Sequence, residues 1–353
     1  MSLLLQILTF YVIISSTRGE NMIKVAVDAM GGDYAPKEQV EGAMLAIQNI
    51  SDIEITLYGD ENEIRKYLTK EERIKIVQSE GTIDMGEKDP IRAIRNNRKS
   101  SMALALSSVR SKENDCIVSS GATQALIAGA HILVGRMKVM KRTAIAPLIP
   151  TINGGSTILL DAGGNIEIKP ENMLGQAYFA HIYAKEVLGV KEPKIGLINI
   201  GTEAGKGRQL DKEVFQLFTE DKILNFVGNV EPKEVLDPPC DILISDGFTA
   251  NIVMKTVEGT AKGMGKMLKA ELKQGLLGKI GMVLSAKNLK SFKKKMAPEE
   301  IGGAMIYGLR GVVVKAQGAS RSVGFYNGIR QAALIVRNEV LEKVKTTIES
   351  EME

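Results

Sequence analysis

From Met22 onward, short apolar runs alternate with stretches of helical period, and this alternation constrains the chain more than any other feature. Ile23–Val27, Ile53–Tyr58, Ile74–Gln78, Asp115–Val118, Thr143–Leu148, Ser156–Leu160, Lys194–Ile200, Ile223–Val227, Ile242–Ile244 and Val312–Lys315 read as strands. Pro36–Asn49, Glu61–Leu68, Ser100–Arg110, Thr123–Gly135, Met173–Leu188, Gln209–Thr219 and Gly328–Val344 read as helices between them. Strands interleaved with helices predict an α/β fold, a largely parallel sheet with helices on both faces. No repeat or low-complexity linker interrupts the pattern, so 22–345 reads as one catalytic-sized domain. Residues 1–21 stand apart. Ser2–Ile14 is nearly all apolar but has no basic residue before it, and 1–21 is expected to be an upstream extension or a weak anchor outside the fold.

The chain turns most sharply at Ile242–Gly259, where the strand Ile242–Ile244 meets Ser245, Asp246 and Gly247 and a helix begins at Thr249-Ala250-Asn251. Ligands of open α/β sheets collect at such carboxyl ends, and a helix starting there offers unpaired N–H groups to an anion. Asn251 and Lys255 share a face of that helix. Two readings stand. Asp246 caps the helix and Lys255 is a solvated lysine, or both belong to a site.

Other strand ends carry similar residues: Asp28 to Asp33 with Gly31 and Gly32, Ser119 to Gln124 with Gly121 and Thr123, Asp161 to Asn165, Asn199 to Gly207 with Lys206, and Gln317 to Ser320. Small residues let a ligand approach the backbone, and hydroxyls and amides supply neutral hydrogen bonds. Gathered at one end of one sheet, they predict a polar, glycine-lined cleft. The run Gly201–Gly207 departs from a P-loop in glycine spacing and lacks its Ser or Thr, and no GxGxxG follows the first strand.

Composition narrows the chemistry. The net charge of +4 and the absence of Trp argue against nucleic acid. Cys116 and Cys240 are far apart with no metal-site spacing, and His131 and His181 sit in apolar helical stretches. No metal or cofactor is expected. Leu276–Met296, within an excursion at 272–297, places Leu277, Ile280, Leu284, Leu289, Phe292 and Met296 against Lys287, Lys290 and Lys294. Such a segment suits a membrane interface, an acidic partner or a second subunit.

The motifs DAMGGDYAP (28–36), GLINIGTEAGKG (196–207), FVGNVE (226–231), SDGFTANIVMKTVEG (245–259) and IGGAMIYGLRG with KAQGAS (301–320) together resemble the bacterial acyl-[acyl carrier protein]:phosphate acyltransferases of phospholipid synthesis. The resemblance runs from Met22 to about Val344. It implies transfer of a long acyl chain from acyl carrier protein to inorganic phosphate, and a fold like the isocitrate and isopropylmalate dehydrogenases and the phosphate acetyltransferases. It also implies a cytoplasmic homodimer loosely associated with the membrane and its downstream acyltransferase. Phosphate is a competent nucleophile and a thiolate a good leaving group, so positioning and oxyanion donors suffice. On this reading Lys206 and Lys255 carry charge toward phosphate or phosphopantetheine. Asn199, Asn251 and the Gly121–Thr123 backbone serve the oxyanion or thioester, Asp28 and Asp246 orient them, and Asn165 is a further candidate. Gly31, Gly32, Ser119, Asp161, Gly247 and Gln317 line the substrate. The chain departs from the resemblance at Ala122, where an asparagine is usual, and at Gln317, where a histidine is usual. Gln317 can hydrogen-bond but cannot carry a proton at neutral pH. Rival readings are a short-chain phosphate acyltransferase using acyl-coenzyme A, a decarboxylating dehydrogenase of related fold, and a non-catalytic scaffold that binds the carrier.

Overall fold

A computed structural model describes residues 22–295 and 302–352. The extension 1–21 and Met296 lie outside the described residues. The strands are β1 (Ile23–Asp28), β2 (Ile53–Gly59), β3 (Ile74–Gln78), β4 (Cys116–Ser119), β5 (Ala144–Ala146), β6 (Leu148–Pro150), β7 (Ser156–Leu160), β8 (Lys194–Ile198), β9 (Asn225–Val230), β10 (Ile242–Ile244), β11 (Ala304–Tyr307) and β12 (Val312–Lys315). The helices are α1 (Lys37–Asn49), α2 (Glu61–Arg65), α3 (Pro90–Asn96), α4 (Ser101–Arg110), α5 (Thr123–Gly129), α6 (Pro170–Glu186), α7 (Gln209–Glu220), α8 (Gly247–Leu272), α9 (Gly275–Leu284), α10 (Ala286–Lys295), α11 (Ser322–Arg337) and α12 (Val340–Met352).

The α/β expectation holds, but the strands form two sheets. A seven-stranded sheet runs β3-β2-β1-β4-β12-β11-β5, and a five-stranded sheet runs β6-β7-β10-β8-β9. Pairing is parallel except around β11 and between β6 and β7. The single strand read at Thr143–Leu148 is in fact divided at Pro147. Ala144–Ala146 closes the first sheet and Leu148–Pro150 opens the second. Proline has no N–H for a ladder, and here its carbonyl instead accepts from the Leu159 N–H at 3.0 Å. The helix read at Gly328–Val344 is two helices, separated at Glu339, whose φ is 53°. Strand β11 and helix α3 escape a periodicity reading because both are short and flanked by turn residues.

Alternation along the strands explains the layers. Val25, Val27, Val118 and Val314 face one way with Val40, Ala43, Phe325 and Ile329 of α1 and α11. Ala26, Ile117 and Val313 face the other way with Met102, Leu106 and Leu126 of α4 and α5. The first core continues into the second sheet through Ile158, Leu160, Leu197 and Ile244, covered by Phe179 and Tyr183 of α6. Phe179 stacks on Tyr307 of β11 at 4.2 Å between ring centroids, which ties the second sheet's helix to the first sheet. The other face of the second sheet, Leu159 and Leu243, packs on Ala250 and Val253 of α8.

Candidate active site

The predicted strand-end residues collect in two groups, one per sheet, rather than at one end of one sheet. The first group lies at the ends of β1, β4 and β12. Asp28 is buried, and its carboxylate accepts from the hydroxyls of Ser101 and Ser119, each at 2.6 Å. Burial pushes its carboxyl above the ordinary range despite these bonds. Ser119 in turn accepts from the Gly121 N–H at 3.1 Å. Ser120 donates to the Gly31 carbonyl at 2.7 Å, and so does the Gln39 amide, also at 2.7 Å. A Cβ on Gly31 would stand 2.4 Å from Asp28 Oδ2 and 2.8 Å from Gly121 N. These glycines let neighbouring turns approach each other closely. Gly32 has a φ of 109°, a left-handed conformation that requires glycine. Thr123 is exposed at the start of α5, and Gln317 is half-buried at the end of β12.

A cation missing from the sequence reading sits within this group. Lys315, only 8% exposed, donates from Nζ to the carbonyls of Ser120 at 3.0 Å and Ala316 at 2.5 Å. Burial pulls its ammonium down to about 8, while Asp28 and Asp33 act to hold it up. Its signal in the sequence was a lysine ending an otherwise apolar strand, Val312–Lys315.

The second group lies at the ends of β7, β8 and β10 and is joined by hydrogen bonds throughout. Asp246 caps α8, accepting from the N–H groups of Phe248 at 3.1 Å and Thr249 at 3.0 Å, and from the Thr249 hydroxyl at 2.9 Å. The first donors of that helix are therefore already satisfied. Asp246 also pairs with Arg208, a residue the sequence reading passed over. Burial would raise the Asp246 carboxyl, but the bonds from Arg208 and Thr249 outweigh it and hold it below the ordinary range. Arg208 is clamped from its other side by Asp211 at 2.8 Å, and these two carboxylates, Asp211 foremost, raise its already high pKa. About half of the Arg208 side chain remains exposed, so its charge is aimed but accessible.

Asn199 is a brace. Its amide donates to the Lys206 carbonyl at 3.1 Å and to Asn229 at 3.2 Å, and its oxygen accepts from the Ile200 N–H at 2.8 Å. It shapes the turn that exposes Lys206. Asp161 is fully buried and accepts from the N–H groups of Ile145 and Gly164, each at 2.9 Å, and from the Asn165 amide at 2.7 Å. Asn165 also donates to the Thr143 carbonyl at 2.5 Å and accepts from the Gly247 N–H at 2.7 Å. A Cβ on Gly247 would stand 2.5 Å from that Asn165 carbonyl, so glycine is required by chain approach. Lys255 points outward and pairs with Glu258 at 3.1 Å. Asn251 remains beside the cluster, its amide nitrogen 2.9 Å from where a Cβ on Gly163 would lie. Its Oδ1 is buried and has no partner. Gln39 Oε1 in the first group is unpaired in the same way, and a buried acceptor of this kind can take a donor from water or from a ligand.

Among the described residues no three His, Cys, Asp or Glu side chains come together to hold a metal ion. Backbone turns, an exposed Lys206, a clamped Arg208 and an unpaired amide oxygen favour a small oxyanion with a proton to donate.

The sequence pattern of the fatty acid synthesis protein family matches residues 23–343. A phosphate acyltransferase from Acholeplasma laidlawii is 51% identical over 334 residues, covering 94% of this chain and 100% of that protein. A phosphate acyltransferase from a Geobacillus species is 42% identical, covering 93% of this chain and 99% of that protein. Among solved structures, a phosphotransacetylase from Streptococcus pyogenes superposes with a TM-score of 0.60 at 17% identity, covering 97% of this chain and 100% of that one. A branched-chain phosphotransacylase from Enterococcus faecalis gives 0.57 at 15% identity, covering 89% and 99%. These structural likenesses establish a shared fold.

Proposed function

This chain belongs to the fatty acid synthesis protein family and is a phosphate acyltransferase, and on that premise we propose that its donor is a long-chain acyl thioester on acyl carrier protein. Inorganic phosphate is the acceptor, and the second group of residues is where it binds. The observation that carries this placement is the unpaired Asn251 Oδ1 in the helix that Asp246 caps, with Asp246 paired to Arg208.

Hydrogenphosphate carries one O–H and a double negative charge. Asn251 Oδ1 accepts that O–H, and Lys206 and Arg208 oppose the charge. A phosphate oxygen attacks the thioester carbonyl carbon. The C–S bond then breaks, the acyl–oxygen bond remains, and the hydrogenphosphate proton passes to the departing thiolate. The products are acyl phosphate and free carrier thiol. Held near each other, the reactants need no covalent enzyme intermediate. Asp246 positions Arg208, and Asn199 shapes the Lys206 turn. Lys255, paired outward with Glu258, is an outlying cation on this scheme.

The wider setting belongs to the same reading: a homodimer in the cytoplasm that touches the membrane and a downstream acyltransferase through α9 and α10. Leu277 and Leu284 are 84% and 81% exposed there, more than a solvated helix face tolerates without a partner. Among the described residues no helix is long and apolar enough to cross a membrane.

The test uses the purified chain with palmitoyl-acyl carrier protein, with and without phosphate. Free carrier thiol and hydroxylamine-trapped acyl phosphate are followed together. Both appearing only with phosphate is the expected result. Equal turnover of short acyl-coenzyme A would overturn the donor assignment, and binding of acylated carrier without turnover would leave a scaffold.

A further inference from the structure

A strongly basic surface adjoins the second group and takes no part in the scheme above. Residues 135–142, which link the turn after α5 to β5, carry Arg136, Lys138, Lys141 and Arg142. Arg310 comes from the β11–β12 turn and Arg110 from the end of α4. All of these side chains are exposed. Two loops are stapled together here. The Met137 N–H donates to the Gly308 carbonyl and the Arg310 N–H to the Gly135 carbonyl, each at 2.9 Å, and Arg310 Nε donates to the Arg136 carbonyl at 2.9 Å. Arg136 also reaches the Lys141 carbonyl. A concavity of about 370 Å³ is lined by Arg136, Met137, Lys138, Met140, Lys141 and Arg310.

The guanidinium groups of Arg136 and Arg310 are thus held by carbonyls, which orient them without neutralising them. Among the described residues these cations form no ion pair, whereas Arg65, Arg208 and Arg337 do. Burial, with Arg136 and Arg142 adding to it, lowers the pKa of the nearby His131. Like charges gathered in this way are mutually repulsive and favour a negatively charged partner.

Position selects the partner. Arg142 precedes Thr143, whose carbonyl accepts from Asn165, and Asn165 accepts from the first N–H of α8. The basic surface is therefore connected by two hydrogen bonds to the corner that holds Asp246. A single phosphate could meet only a few of charges spread over two loops and a helix end, whereas an acidic protein face could meet them together. We propose that this surface, centred on Lys138, Lys141 and Arg310, docks the acidic face of the carrier protein that delivers the acyl chain. The proposal rests on the carrier-dependent reading above and adds the place of contact.

The test is Lys138→Glu with Lys141→Glu, whose side chains have no partner in the fold to lose. The expected result is a rise of about tenfold or more in KM for acylated carrier, with kcat and KM for phosphate unchanged. A carrier-free acyl-pantetheine thioester should be used as well by the variant as by the parent chain. In parallel, fluorescently labelled unacylated carrier should give an anisotropy change that fades between low and about 0.3 M salt and is lost in the variant. Lys70→Glu with Lys345→Glu, exposed lysines away from this surface, is the control and should leave both readouts unmoved. A KM for acylated carrier within about twofold of the parent chain, or a carrier KM that moves only in the control, overturns the docking surface. If the parent chain makes no acyl phosphate but still loses carrier binding on charge reversal, the docking surface stands and the catalytic reading fails.

Discussion

Asp246 does two jobs that substitution can separate. Asparagine caps a helix about as well as aspartate, so Asp246→Asn should keep α8 nearly intact while weakening the pairing with Arg208. We expect kcat/KM for phosphate to fall at least tenfold, about 1.4 kcal/mol, with a melting temperature within a few degrees of the parent chain. Retained activity with a large loss of stability would make Asp246 a cap alone. Lys315 gives a pH prediction. Its native ammonium loses its proton near pH 8, whereas the unfolded chain holds that proton to about 10.5. Between those values the unfolded state binds more protons, so this residue adds stability as pH rises, by on the order of 1 kcal/mol per unit at most. The unfolding free energy of the parent chain minus that of Lys315→Met, from urea titrations, should therefore increase from pH 8 toward pH 10. A difference that stays flat would mean that Lys315 titrates normally. Gly31 shows why a glycine-rich turn is not by itself a binding loop. A Cβ there meets Asp28 and the Gly121 backbone, while one on Gly205 meets nothing within 4 Å. Gly31→Ala should cost about 1–3 kcal/mol, and Gly205→Ala should be nearly neutral, in the same titrations.

At the scale of elements, α8 is anchored only at its start. Gly247, Ala250 and Val253 are its buried residues, and the helix then runs outward to α9, none of whose residues is buried. The sequence made this segment legible, because its apolar and lysine faces have helical spacing whatever covers them. Leu277→Ser with Leu284→Ser should shift stability by no more than about 0.5 kcal/mol, since those side chains leave no cavity. The same variant should lose cosedimentation with anionic vesicles. Unchanged cosedimentation, with a dimer that falls apart, would give the face to a second subunit instead. Strand–helix alternation was legible for the same reason: buried parallel strands read as apolar runs however they are arranged. Where elements were missed or merged, as at β11, Pro147 and Glu339, the deciding features were a strand too short to show a period and single residues that redirect the backbone.

Across the whole molecule, one core passes from the first sheet to the second through Phe179, Tyr183 and Tyr307. Phe179→Ala should cost about 3–5 kcal/mol. Because the core is shared, fluorescence and circular dichroism should still report a single unfolding transition, and two separated transitions would show that the sheets fold independently. The sequence by itself determined the α/β class, the family resemblance and the polar strand ends, because these depend on local period and residue type. It drew attention to Asp246, Asn251 and Lys206, because the turns after strands and the helix starts that follow them are marked by local residue type. Only the tertiary structure decided that the strand ends divide between two sheets, because pairing order is set by contacts between residues distant in the chain. It also decided that Asn199, Asp161 and Asp28 brace the turns, that Lys255 faces Glu258, and that Arg208 and Lys315 stand among them. A side chain's role depends on which partners the fold brings within hydrogen-bonding distance, and no spacing along the chain carries that information.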